Sequence, residues 1–136
     1  MAGADNKRVP ISVDDRCPCL SGETYGECCG RFHSGEAFAP TAERLMRSRY
    51  SAYATGKQDY VAATWHPTTR PSNLELDADV GWYRLDILAT QAGGPFDTAG
   101  TVMFEAFFRS SAGNSSQLEK SRFVREDGRW FYVDGQ

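Results

Sequence analysis

The sequence predicts an α+β protein: helices first, then an antiparallel sheet, with a small cysteine-bearing segment in front. Three observations lead there. All four cysteines lie between Cys17 and Cys29, and none follows. Helix-period apolar spacing is confined to the stretch between Pro40 and Pro67. From Trp82 onward the pattern changes to period-two alternation, and an Asp-Gly pair punctuates its last part. Helices followed by neighbouring strands is the order of an antiparallel α+β domain.

Residues 1–15 are polar and mixed in charge and are expected to form a flexible lead-in. Residues 16–36 carry the cysteines and are too few and too polar to build a core of their own. Residues 37–136 hold the apolar patterns and form the main domain. Within it, 41–56 reads as a helix, with Thr41 as N-cap and Gly56 just past the end. Met46, Tyr50 and Tyr53 recur at helical spacing, with Leu45 and Ala54 beside them. A second short helix is expected over 58–65, because Pro67 forces His66 toward an extended conformation.

Four strands follow, at 82–89, 101–109, 118–126 and 129–133. In the first, strict alternation sets Tyr83, Leu85, Ile87 and Ala89 against Trp82, Arg84, Asp86 and Leu88. In the second, Val102, Phe104, Ala106 and Phe108 share one face. The last two are joined by Asp127-Gly128, the strongest two-residue hairpin signal in the chain.

Composition bounds the function. A chain of 136 residues with 40% hydrophobic and 24% charged content is a folded domain, not a disordered one. The net charge of −3 argues against a nucleic-acid binder that works through bulk positive charge. Arg44, Arg47 and Arg49 form a small basic strip, which reads better as a solvated helix face. Apolar runs are short, so no segment spans a bilayer, and the first residues do not resemble a signal peptide. A cytoplasmic protein is expected.

In that compartment a tight cysteine cluster argues for a metal rather than disulfides. Cys17 and Cys19 are one residue apart, eight residues intervene, and Cys28 and Cys29 return together. Zinc takes four sulfur or nitrogen donors in a tetrahedron, and four protein ligands leave no position for water. The expectation is one structural Zn2+, on Cys17, Cys19, Cys28 and Cys29, with His33 as the competitor for the place of Cys29. Such a knuckle is expected to be modular: removing the metal would disorder 16–35 and leave the sheet intact.

The knuckle resembles the SEC-C motif, the zinc-binding segment at the C-terminus of the SecA translocase motor. The shared pattern is Cys-x-Cys, eight residues containing Ser21-Gly22, then two adjacent ligands. That motif has Gly where this chain has Leu20, and a Lys-rich middle where this chain has Glu23 to Glu27. The rest of the chain resembles the YchJ family of functionally uncharacterised bacterial proteins. The resembling strings are Leu45-Met46-Arg47-Ser48-Arg49-Tyr50-Ser51-Ala52-Tyr53, Thr64-Trp65-His66-Pro67, Ser121-Arg122-Phe123 and Trp130-Phe131-Tyr132-Val133-Asp134-Gly135. The resemblance implies a nuclear transport factor 2-like (cystatin-like) cone, a curved antiparallel sheet wrapped around helices.

A cone of that kind can hold a small ligand. The candidates to line it are Arg49, Tyr50, Tyr53, Trp65, His66, Trp82, Arg122 and Asp134. An enzyme built there would pair His66 with Asp134 for proton transfer, with Arg49 or Arg122 stabilising an oxyanion. No catalytic nucleophile is evident, and each candidate also has a packing role open to it. Two functions follow. The first is a non-enzymatic adaptor that docks a protein partner through the knuckle, as SEC-C implies. The second is a small-molecule enzyme, isomerase- or dehydratase-like, in which zinc is only structural.

Overall fold

A computed structural model describes residues 11–136. Among these residues a 3-10 turn at Tyr25–Glu27 is followed by three helices: α1 (Cys29–His33), α2 (Ala42–Thr55) and α3 (Gln58–Ala63). Four strands follow: β1 (Gly81–Ala92), β2 (Ala99–Ser110), β3 (Gly113–Glu126) and β4 (Arg129–Gly135). They pair antiparallel in the order β1-β2-β3-β4 and form one open sheet. The α+β class and the antiparallel sheet are as the sequence predicts.

Helix α2 begins and ends where its caps require. Thr41 is extended, and its Oγ1 accepts from the Arg44 N–H at 3.1 Å. Gly56 sits at φ +77°, the left-handed conformation that glycine adopts at no steric cost. Thr41→Ala is expected to cost about 1 kcal/mol, read as a shift in the urea midpoint with an unchanged slope. Helix α3 stops at Ala63, earlier than expected. Trp65 leaves it to make a parallel bridge with Tyr132, and the His66 N–H donates to the Tyr132 carbonyl at 2.8 Å.

The buried face of the sheet carries Leu85, Val102, Phe104, Ala106, Phe123 and Trp130, packed against Leu45, Met46 and Tyr50 of α2. Two departures from simple alternation matter. The β1–β2 register shifts between Trp82 and Arg84 and again between Ile87 and Ala89. A bulge at Tyr83 therefore puts Trp82 on the same face as Leu85, where strict alternation opposed them. The Trp82 ring meets Phe108 at 5.0 Å between centroids. Strand β3 also starts five residues before the expected Leu118, because β2 pairs with it from Ser110 to Ala99 without a break.

The cysteine segment is not detached from this core. Its cysteines, Tyr25 and Phe32 belong to the same buried cluster as Leu45, Met46 and Tyr50. The expected flexible lead-in lies mostly outside the described residues. Of its last part, the carbonyls of Val13 and Asp15 accept from the N–H groups of Gly26 and Tyr25 at 2.9 and 2.7 Å.

Candidate metal centre and cone cavity

The first turn of the knuckle bends at Leu20, whose φ of +65° is left-handed. This is where the resembling motif carries Gly. Leu20 is exposed, so its side chain gains little from burial. Leu20→Gly is expected to stabilise the fold by up to about 1 kcal/mol, by relieving a Cβ clash partly offset by glycine's extra chain entropy. Thermal unfolding of the metal-loaded protein measures it. Ser21 follows, and its Oγ lies 3.2 Å from Cys28 Sγ.

The four sulfurs converge. All lie within 4.8 Å of one another, and all four residues are buried. Cys19 and Cys28 sulfurs are 3.7 Å apart, and those of Cys28 and Cys29 are 3.9 Å apart. A disulfide would bring a pair to about 2.05 Å. Metal–sulfur bonds of about 2.3 Å in a tetrahedron set its edges at about 3.8 Å, the spacing seen here. The donor set and its spacing fit a metal ion held by four thiolates.

Charge supports the same conclusion. Hydrogen bonds from Cys19 and then Cys29 pull the Cys17 thiol down to about 3, while donating to its neighbours pushes Cys29 far up. Without a cation the cluster can ionise only in part, and a bound cation removes that restriction. Hydroxyls of the surrounding chain face the sulfurs. Ser51 of α2 donates to Cys29 Sγ at 3.3 Å and lies 3.6 Å from Cys17 Sγ. Such contacts orient thiolate ligands from outside the coordination sphere.

His33 is engaged elsewhere. Its Nε2 lies 2.8 Å from the Ser48 carbonyl and its Nδ1 lies 2.6 Å from the Tyr25 hydroxyl. A carbonyl only accepts, so Nε2 carries the proton and Nδ1 accepts from Tyr25. Burial pushes His33 down to about 4, which keeps it neutral at physiological pH. His33 thus ties α1 to α2. His33→Ala is expected to keep a full equivalent of metal and to lose roughly 1–3 kcal/mol of stability, since Tyr25 loses its acceptor. Metal analysis alongside denaturant unfolding separates the two effects.

Helix α2 is two-faced. Arg47 donates from Nη1 to the Cys19 carbonyl at 2.9 Å, so Arg47, Ser48 and Ser51 serve the knuckle. The opposite side, with Met46, Arg49, Tyr50 and Tyr53, lines a cavity of about 210 Å³ between the helix and the concave sheet. Trp65 and Trp82 line it as well.

Three expected cavity residues lie elsewhere. His66 bonds Thr68 and Glu126, at 2.8 and 2.9 Å, near the β3–β4 hairpin. Arg122 and Asp134 form a two-pronged ion pair across β3 and β4, at 2.6 and 2.7 Å, both well exposed. They project from the outer face, because the inner positions of β3 are Glu119, Ser121 and Phe123. No His66–Asp134 couple faces the cavity. In their place Gln117, Glu119 and Ser121 line it, none of which the sequence marks as a cavity residue. The one available signal was their shared period-two face with the buried Phe123.

Comparison with known proteins agrees with this architecture. The model of the YchJ middle nuclear transport factor 2-like domain matches residues 41–135, and that of the SEC-C motif matches residues 15–31. A UPF0225 protein of Corynebacterium glutamicum is 57% identical over 120 residues, covering 88% of this chain and 95% of its own. One from Streptomyces coelicolor is 52% identical, covering 88% and 94%. The solution structure of a SEC-C motif containing protein from Rhodopseudomonas palustris superposes with a TM-score of 0.77 at 35% identity, covering 88% of this chain and 96% of that one. A crystal structure of another from Psychrobacter arcticus gives 0.73 at 26%, covering 90% and 82%. With four convergent cysteines in the motif and a curved sheet behind it, the chain belongs to the UPF0225 family of SEC-C proteins with a YchJ-type nuclear transport factor 2-like domain.

Proposed function

We propose that this protein is a non-enzymatic binding module whose SEC-C knuckle holds one structural zinc ion. The observation that carries the metal is the sulfur spacing of 3.7 and 3.9 Å within a fully buried cluster. Four thiolates favour a soft or borderline cation such as zinc and close its coordination sphere, so the ion holds structure instead of activating water. Ser51, Arg47 and the His33–Ser48 bond join the knuckle to α2, and α2 in turn forms one wall of the cone. This reading assigns binding to the open cavity and to the exposed acidic loop that carries Glu23 and Glu27.

That loop suits a basic protein partner in the cytoplasm. Among the described residues no helix is long and apolar enough to cross a membrane. Affinity capture with the intact chain, and with Glu23 and Glu27 both changed to Lys, tests the adaptor role. The reading expects zinc and fold to persist and a partner to be lost; a partner set unchanged by the charge reversal removes the knuckle from docking. The isomerase- or dehydratase-like alternative draws on Glu119, which brings a carboxylate to the cavity that Arg49 also lines. It stands second because its acid–base couple lacks a second partner there. Turnover of a metabolite that survives His66→Ala and vanishes with Glu119→Gln would promote it.

A further inference from the structure

The cavity holds two opposite charges that do not meet. Arg49 is 4% exposed, yet no carboxylate lies within ion-pair distance of it among the described residues. Its Nη1 donates to the Val61 carbonyl at 2.8 Å and to Thr64 Oγ1 at 2.7 Å. Its guanidinium carbon lies 4.5 Å from the centre of the Tyr132 ring and 5.2 Å from that of Trp65. A buried cation with only neutral acceptors and ring faces around it is costly, and an incoming anion would relieve that cost.

Glu119 lines the same space from β3. Its Oε2 accepts from Ser121 Oγ at 2.6 Å and from the Tyr132 hydroxyl at 3.1 Å, and its Oε1 accepts from Gln117 Nε2 at 2.9 Å. All three donors are neutral. Tyr132 is the spacer: its ring lies under Arg49 while its hydroxyl holds Glu119. The two charges cancel over the cavity as a whole but remain apart inside it.

A ligand bearing a single charge would leave one of them uncompensated and add net charge to the cavity. A zwitterion answers both. The remaining wall is mostly apolar, with Met46, Trp82, Phe104 and Ala106 among its residues, although the Tyr50 hydroxyl and the Trp65 indole N–H are buried without a partner among the described residues. A cavity of about 150 Å³ is enough for benzene, so about 210 Å³ leaves room for a ring and a short polar head. We infer that the cone binds a small zwitterion with an apolar body, of the aromatic α-amino acid type, its carboxylate toward Arg49 and its ammonium toward Glu119. This rests on the reading of the cone as a ligand pocket.

The test is calorimetric titration of the zinc-loaded full chain with four probes: L-phenylalanine, 3-phenylpropanoate, 2-phenylethylamine and phenol. Phenylalanine is expected to bind at least tenfold tighter than either singly charged analogue. Arg49→Met should weaken phenylalanine tenfold or more while sparing phenylethylamine. Glu119→Gln, a substitution of equal shape, should reverse the order of phenylalanine and phenylpropanoate. Thermal melts of both variants establish that they fold, and either variant alone decides the matter if the other does not. Phenylpropanoate or phenylethylamine binding as tightly as phenylalanine overturns the zwitterion. Phenol binding alone also overturns it but leaves the ligand pocket standing, whereas binding of none of the four removes both.

Discussion

Protein purified without chelator will carry one zinc per chain, and Cys28→Ser will carry none. Cys28 sits well inside the cluster, with Cys19 Sγ at 3.7 Å, Cys29 Sγ at 3.9 Å and the Ser21 hydroxyl at 3.2 Å. A serine oxygen there is a poor ligand for a soft-ligand site, and the remaining three thiolates cannot close a tetrahedron. The energy at stake is large, since structural zinc contributes about 10–16 kcal/mol in isolated zinc-finger peptides at neutral pH. A full equivalent of zinc in Cys28→Ser would reject the four-thiolate assignment.

Hydrogen exchange will extend the result. The knuckle shares a buried cluster with α2, so chelation should remove protection from residues 16–35 and also lower it along α2. Losses confined to residues 16–35 would restore the modular picture that the sequence suggests. Acid should act like chelator, because thiolate ligands must be deprotonated to hold the ion.

Phe123→Ala is the second large effect. Phe123 is 1% exposed and sits on β3 opposite Gly100 of β2 and Tyr132 of β4, whose ring lies 5.8 Å from its own. Truncating a fully buried phenylalanine removes its transfer energy and leaves a cavity, together about 3–5 kcal/mol. That is a large share of the 5–15 kcal/mol that holds a typical domain together. The melting temperature should fall by roughly 10–20 °C. Zinc content should be unchanged, since Phe123 lies on β3 and is not one of the four residues that converge on the site. A loss below about 1 kcal/mol would mean that the inner face of β3 is not packed as described.

What was legible in the sequence came from residues whose local chemistry determines geometry. Thr41 and Gly56 bound α2 because a hydroxyl cap and a left-handed end have few alternatives. Asp127 and Gly128 both have positive φ, as a two-residue hairpin turn requires. Cysteine spacing placed the sulfurs within one small volume.

What escaped depended on partners distant in the chain. The first part of β3, Gly113 to Gln117, is exposed and polar and has no apolar rhythm of its own; it is a strand because β2 offers it a ladder. The bulge at Tyr83 leaves no local mark, yet it decides which way Trp82 faces. Glu119 and Ser121 look like solvent-facing residues until the curvature of the sheet encloses them. Ser48 and Ser51 gain their roles only once α1 and the knuckle lie on α2. His66, Arg122 and Asp134 suggest chemistry by residue type, but pairing across strands and to Glu126 directs them outward.

The two irregularities in β1 have a consequence for solubility. In an open four-stranded sheet β1 is an outermost strand, and at twelve residues it is a long one. A straight edge of that length would offer a row of free N–H and C=O groups to any other extended chain, which is how sheets recruit one another into aggregates. The shifts near Tyr83 and Leu88 break that row into short pieces of differing direction. The device that swings Trp82 into the cavity also denies the strand's outer side a continuous template for self-association.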